Sequence, residues 1–358
     1  MRNIGETTHQ GEAMAATIHE VAKQAGVSIS TVSRSFTHPE LVSEKTKTTV
    51  LDIANTMGFS ISRSATALKS GVSLRIALLL SDRLGSWFNS AILEGLNSVL
   101  HPAGYDISIF QIDSSAERKS FFETLPTRRN ADAVIVASFD VADDEVERLH
   151  SLDVPIIGIN SATHNVYNAS VRINDELGAM LAFKHIYSLG HRDIVYVQTD
   201  PMNSLFFSVQ QRKDAFIECC KESSLTPMVL TASTSGDRIS DILTQLFTLE
   251  NMPTAVICQE DGLAIPLIFQ LARSGLRVPR DVSVIGFDDS IYAKDTGLTT
   301  IRQDPLNMAK TAARMTLELI DREHPNNPQR IFEPQLMLRS STDVARASAT
   351  TGLFSSPR

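Results

Sequence analysis

Three cysteines, one tryptophan and a 6% share of aromatic residues are little for a chain of 358 residues. Cys219 and Cys220 are adjacent and Cys258 stands apart, with no CxxC pair and no histidines at zinc-like spacing. They read as free thiols of a reducing compartment, with no metal site. No apolar run approaches the roughly 20 residues that span a bilayer, and the first residues, MRNIGETTHQGEAMAA, lack the apolar core of a secretion signal. A cytoplasmic protein with no membrane partner is expected. Also missing are a GxSxG elbow, an HExxH pair, a Walker loop and a strand-linked GxGxxG. Without a catalytic set or a cofactor loop, an enzyme is not expected.

What is present is charge unevenly placed. The whole chain carries −8, yet residues 17–71 hold six basic side chains (Lys23, Arg34, Lys45, Lys47, Arg63, Lys69) against four acidic ones (Glu20, Glu40, Glu44, Asp52). A mildly basic head on an acidic body suits a DNA-binding module attached to something else. At this length two or three domains are expected.

The head opens with Thr17 followed three residues later by Glu20, a capping box, and then Ile18, Val21, Ala22 and Ala25 on one helical face. Gly26 ends that helix in the left-handed conformation, and Ser28 caps the next, whose core residue is Val32. The second helix exposes Ile29, Ser30, Ser33 and Arg34. Serine and threonine are poor helix formers, so such a face is not there for local stability. Their short side chains let a helix sink into the major groove and offer hydroxyls to phosphates or base edges, and Arg34 can reach guanine bidentately. A third helix runs from the Ser43 cap, with Val50, Ile53, Ala54 and Met57 on one face and Gly58 at its end.

From Leu74 onward strand-like and helix-like segments alternate. They run from RIALLL, YDISIFQI, ADAVIVAS and VPIIGIN, through an irregular stretch, to DIVYVQ, MVLTAS, TAVICQ and VSVIGFDD, with helices between them. That alternation means parallel sheets covered on both faces, and its length favours two lobes with a cleft between them. In open parallel sheets a ligand sits outside the carboxyl ends of the strands. The stretches to inspect are therefore Ser81 to Asn89, Asn160, Gln198 to Phe207, Gln259 to Asp261, and Asp288 with Asp289. They offer an arginine, carboxylates, amides and rings, the chemistry of polar small-molecule binding. Trp87 and Phe88, directly after the first strand, could stack on a sugar face.

The run from Thr17 through VAxxAGVSxxTVSR, with VSEKT at 42–46, resembles the head of the LacI/GalR (lactose-repressor and purine-repressor) family. SLGHRDIVYV (188–197), LRVPRDVSVIGFDD (276–289) and LTTIRQD (298–304) are similar to that family's effector domain. The resemblance implies an all-α helix-turn-helix head (17–60), a hinge helix (61–71) and an α/β two-lobed body of the periplasmic-binding-protein type (72–341). It leaves an extension (1–16) and a tail (342–358) expected to be disordered. Thr17, Ser28, Ile29, Ser30, Thr31, Ser33 and Arg34 would face DNA, and Leu68, followed by Lys69, matches the leucine that the family's hinge pushes between base pairs. Arg212 matches the family's effector-binding arginine, Asp288 its ligand aspartate and Gln303 a glutamine near the pocket, while Asp175 and Asn160 fall on positions that line the cleft.

Two departures bear on the ligand. The chain has CQEDGLAIP where the family reads ANDxxAxG, so Glu260 replaces an asparagine, and Asn160 stands where aspartate is frequent. An extra carboxylate beside Asp288 points to a neutral sugar or polyol. The implied protein is a homodimeric regulator, foremost a repressor, that binds a near-palindromic operator under the control of a small-molecule effector, with no cofactor. The alternatives are a carbohydrate-binding protein or an enzyme on a two-lobed scaffold.

Overall fold

The structure, a computed structural model, describes residues 16–37, 39–59, 72–81, 83–112, 115–128, 131–138, 141, 143–151, 154–161, 167–200, 207–233 and 236–346. The chain divides between Leu74 and Arg75 into two compact units, a head and a body. The hinge residues Leu68 and Lys69 lie outside the described residues, as do 1–15.

In the head, α1 (Ile18–Ala25), α2 (Ile29–Thr37) and α3 (Glu44–Thr56) enclose a small core of Val21, Ala22, Val32, Val50 and Ala54. Each boundary has a local cause. Thr17 and Glu20 form the reciprocal capping box, Gly26 closes α1 at φ 67°, and the Ser43 hydroxyl accepts from the Thr46 amide to start α3.

The body holds two six-stranded sheets. The first comprises β1 (Arg75–Ser81), β2 (Asp106–Ile112), β3 (Ala133–Ala137), β4 (Ile156–Ile159), β5 (Ala169–Ile173) and β11 (Gln329–Phe332), in the order β11-β5-β4-β3-β1-β2 and parallel throughout. The second comprises β6 (Ile194–Thr199), β7 (Met228–Ala232), β8 (Ala255–Cys258), β9 (Ser283–Asp288), β10 (Thr299–Arg302) and β12 (Gln335–Met337), in the order β12-β10-β9-β8-β6-β7, with only β12 antiparallel. Strands such as β1, β3, β8 and β9 are buried almost end to end because helices cover both faces.

The helices are α4 (Trp87–Leu100), α5 (Ser115–Arg128), α6 (Asp143–His150), α7 (Asp175–Ser188), α8 (Phe207–Glu222), α9 (Arg238–Thr248), α10 (Asp261–Arg273) and α11 (Pro305–Ile320). Within each sheet the first five strands repeat the 2-1-3-4-5 order, whose switch point creates a crevice at the carboxyl edge. The chain passes between lobes three times: after β5 into α7, after β10 into α11, and from β11 to β12. Asp175 and Gln303 lie at the first two of these passages.

Sequence periodicity located the eight strands and the helices between them to within a few residues. It passes over β5, inside the irregular stretch, and β10, β11 and β12, along with α11, all after VSVIGFDD except β5. The C-terminal tail also needs correction, because order does not stop at Ser341. The Ser341 carbonyl accepts from the Val284 amide (2.8 Å), the Asp343 amide donates to Ser283 Oγ (3.0 Å), and the Ala345 amide donates to the Leu189 carbonyl (2.8 Å). His185 and His191 add bonds to Thr342 Oγ1 and the Asp343 carbonyl. These partners fix the chain as far as Arg346, which pairs with Asp281 at 2.8 Å.

Candidate DNA interface and effector site

On the head, Ile29, Ser30 and Arg34 of α2 are exposed, whereas Thr31 and Ser33 are half-buried. Ser28 Oγ lies 2.7 Å from Ser30 Oγ and 2.8 Å from Thr31 Oγ1, and it accepts from the Thr31 amide at 3.1 Å. The hydroxyl run is thus a linked set at the helix start, rigid enough to be presented as a unit. Thr17 is engaged in its own cap, its hydroxyl donating to Glu20 Oε2 at 3.0 Å. A lone pair on that oxygen is all it can still offer.

On the body, the structure brings four of the expected residues into one buried network at the carboxyl edge of the second sheet. Arg212, on α8, donates through Nε to Asp175 Oδ1 (2.7 Å) and through Nη1 to the Gln259 carbonyl (3.0 Å), and Nη1 lies 4.0 Å from Asp288 Oδ1. Gln303 Nε2 donates to the same Asp288 oxygen at 2.6 Å. The Arg212 guanidinium carbon lies 3.6 Å from the centre of the Phe287 ring, which orients the planar fork by stacking.

Burial pushes the Asp175 and Asp288 carboxyls above the ordinary range while Arg212 pulls both back down; Asp261 and Glu260 add to the rise at Asp288. Burial alone would lower Arg212, but Asp175 and Asp288 outweigh it and hold the cation. Asp288 and the next residue, Asp289, have φ of 126° and 56°, conformations that cost a residue with a side chain about 1–3 kcal/mol each.

Two glycines make room for this arrangement. A Cβ on Gly178 would meet the Phe287 ring at 2.7 Å, and one on Gly286 would collide with Asp261 Oδ1. Asp261 falls within a stretch singled out for inspection, but Phe287, Gly178 and Gly286 do not. The signal available was the glycine one residue before the FDD triplet.

Glu260 stands apart from this network. It occupies the N-cap of α10 without capping it, and its Oε1 lies 3.6 Å from Arg238 Nη1, with both side chains part-exposed. Trp87, Phe88 and Asn160 occupy the carboxyl edge of the first sheet instead. Trp87 is half-buried at the start of α4, and Phe88 packs partly into the first lobe's core. Asn160, at φ 52°, accepts from the Ile173 amide at 3.1 Å, so its carbonyl oxygen braces β5. Among the described residues, no group of three or more metal-ligating side chains is placed to hold an ion, and no helix is long and apolar enough to cross a membrane.

A three-helix head with an exposed polar second helix, and a two-lobed body with a charged crevice at a topological switch point, define a ligand-responsive DNA-binding regulator. Residues 17–62 match the family described as bacterial regulatory proteins, lacI family, and residues 183–342 match the periplasmic binding protein-like domain. The chain belongs to the LacI/GalR family and is a transcription regulator, not an enzyme. It is 26% identical over 334 residues to the HTH-type transcriptional repressor PurR of Photobacterium profundum, covering 91% of this chain and 98% of that one. It is 28% identical over 336 residues to PurR of Vibrio parahaemolyticus, again covering 91% and 98%. Among solved structures, a lac repressor dimer bound to operator and the anti-inducer ONPF shares the fold, with TM-score 0.78, 24% identity, and coverage of 92% of this chain and 99% of that one. A LacI transcriptional regulator from a Rhodococcus species aligns with TM-score 0.64 and 26% identity, over 76% and 99% of the two chains.

Proposed function

We propose that the chain is a homodimeric repressor working in the cytoplasm, whose grip on a near-palindromic operator is set by a neutral polyhydroxyl effector, a sugar or polyol. Two heads would read half-sites in successive major grooves through Ile29, Ser30 and Arg34. Leu68 and Lys69, outside the described residues, would serve the hinge between them. Effector and operator would oppose or assist one another by about 1–3 kcal/mol, and reciprocally.

The observation that supports the effector class is the neutralised guanidinium. Arg212 faces Asp175 at 2.7 Å and Asp288 at 4.0 Å, and Glu260 adds a carboxylate to the same edge. An anionic ligand would meet a cation already engaged and carboxylates beyond it, and like charges at 4 Å repel by about 4 kcal/mol at an effective dielectric of about 20. Hydroxyls suit the edge better. Asp288 accepts, and Gln303 Oε1 is a buried acceptor with no hydrogen-bond partner among the described residues.

A band-shift with the DNA upstream of the protein's own gene, at stated salt, tests the proposal. The compounds are ribose, glucose, galactose and sorbitol, set against gluconate, glucose 6-phosphate, adenine and guanine. A neutral polyhydroxyl should change operator affinity about 5- to 150-fold. A response confined to the acids, the phosphate or the purines overturns the effector class; the purines are included because the PurR repressors are similar to this chain. Arg34→Ala should weaken specific binding by about 1–3 kcal/mol. Equal affinity for the upstream fragment and random duplex would sink the operator assignment.

A further inference from the structure

We infer that Asp261 is a positioning residue for the effector site, its buried carboxylate holding the strained turn that aims Asp288. The inference rests on the proposal that Asp288 meets the effector.

Asp261 is fully buried at the first position of α10, in the notch that Gly286 leaves for want of a side chain. Its Oδ2 accepts from the Ser290 amide at 2.7 Å, and its Oδ1 accepts from the Thr300 hydroxyl at 2.6 Å. Because that hydroxyl spends its proton on Asp261, its lone pair faces the Asp289 amide, 3.4 Å away. Asp261 thereby holds both amides that follow Asp288, one directly and one through Thr300. Left-handed φ values at two successive aspartates do not persist without such over-determination. The Asp289 carboxylate, at 2.6 Å from both Arg302 and Arg339, clamps the turn from its other side.

The charged and titratable groups around Asp261 are Asp288 with Arg212, Asp289 with Arg302 and Arg339, Glu260 with Arg238, and Cys258 at the end of β8. Burial first, and Asp289 in smaller part, push the Asp261 carboxyl up to about 6, against the hydrogen bonds from Thr300 and Ser290. Protonation turns two charge-assisted bonds into neutral ones of about half the strength.

Hydrogen exchange on the full chain, followed in peptides spanning 286–292, reads the turn directly and needs no effector. Asp261→Asn keeps the shape but offers one acceptor where two donors converge, and Thr300→Val removes the relay while leaving Asp261 in place. Asp261→Asn should speed exchange at Asp289 and Ser290, and Thr300→Val at Asp289, at least tenfold at pH 7.5, with protection of α7 and β6 unchanged. In the wild type, protection at Ser290, corrected for intrinsic rates, should fall severalfold between pH 7.5 and 5, and Asp261→Asn should lose that dependence. Wild-type protection of Ser290 in Asp261→Asn or of Asp289 in Thr300→Val, or a pH profile that survives in Asp261→Asn, would overturn the inference. Failure of every tested compound to bind would sink the effector reading and leave these exchange results standing.

Discussion

At the carboxyl edge of the first sheet three buried polar side chains, Asn89, Ser81 and Asn160, answer the backbone. Asn89 Nδ2 donates to the Ser81 and Arg83 carbonyls at 2.8 and 3.1 Å, the Ser81 hydroxyl to the Ser138 carbonyl at 3.0 Å, and Asn160 accepts from the Ile173 amide. At the same edge of the second sheet they answer one another: Arg212 with Asp175, Gln303 with Asp288, Thr300 with Asp261. Strand order is the same and both rims hold positive-φ residues, Ser138 and Asn160 on the first, Asp288 and Asp289 on the second, yet among the described residues the second gathers three buried carboxylates, Asp175, Asp261 and Asp288, beside Arg212, where the first has Glu145 paired with Arg118 at 2.7 Å. Buried charge is weak evidence for stability. Its gathering beside Arg212 sets the second edge apart from the first.

Removing the centre of the charged edge should give the largest effect. Arg212→Met leaves Asp175 and Asp288 buried without their cation, and breaking such a pair costs about 3–5 kcal/mol. Urea unfolding should show that loss, and the effector response in a band-shift should vanish. If stability falls by less than about 1 kcal/mol, the two edges are not as different as the geometry makes them.

Next comes Gly286→Ala. Its Cβ would occupy the place of Asp261 Oδ1, and over-packing of this kind costs about 1–3 kcal/mol. Gly85, on the approach to α4 in the first lobe, has nothing near its own added Cβ, so Gly85→Ala is the control and should be close to neutral. Equal melting temperatures for the two variants would remove the close fit as the reason for a glycine at 286.

Much of this edge was legible because its parts sit where strands end. Alternating segments located the strands, strand ends pointed to Asp288, the resemblance to the LacI/GalR family supplied Arg212, Asp175 and Gln303, and the four fall into one network. Phe287 is not legible, since an aromatic one residue before an aspartate reads as sheet core; only the fold brings the Arg212 guanidinium, from α8, onto its ring. Glu260 is legible only in part. Sequence places it beside Asp288 but cannot show that Arg238, 22 positions earlier, takes up its carboxylate. The tail eluded the reading because its anchors are backbone bonds to Leu189 and Ser283, which leave no mark on composition.

On the first edge, Asn160→Ala should cost about 1–3 kcal/mol, because the Ile173 amide loses its acceptor in a buried place and alanine tolerates φ 52° less well than asparagine. Effector affinity should change less than in Arg212→Met. A larger loss of effector response than of stability would give the first sheet a recognition role that its hydrogen bonds do not suggest.

The smallest effect is a pH dependence far from both edges, where the tail is fastened. Burial lowers the His191 pKa from its ordinary value near 6.5, with Arg192 acting in the same sense and Asp343 opposing. The unfolded chain therefore takes up this proton first. Stability tied to neutral His191 is whole above pH 6.5 and declines as pH falls below it, by at most about 1.4 kcal/mol for each unit by which the two pKa values differ. His191→Gln, which keeps a polar side chain between Thr254 and the Asp343 carbonyl, should lie below the wild type at pH 7.5 and approach it at pH 5 in paired unfolding curves. Asp261 has the opposite sign, since its raised carboxyl makes the folded state the better proton acceptor between about pH 6 and its ordinary value of 3.8. Only the difference between wild type and variant isolates the histidine. A gap that stays constant from pH 7.5 to 5 would mean that His191 holds the tail equally well in either protonation state.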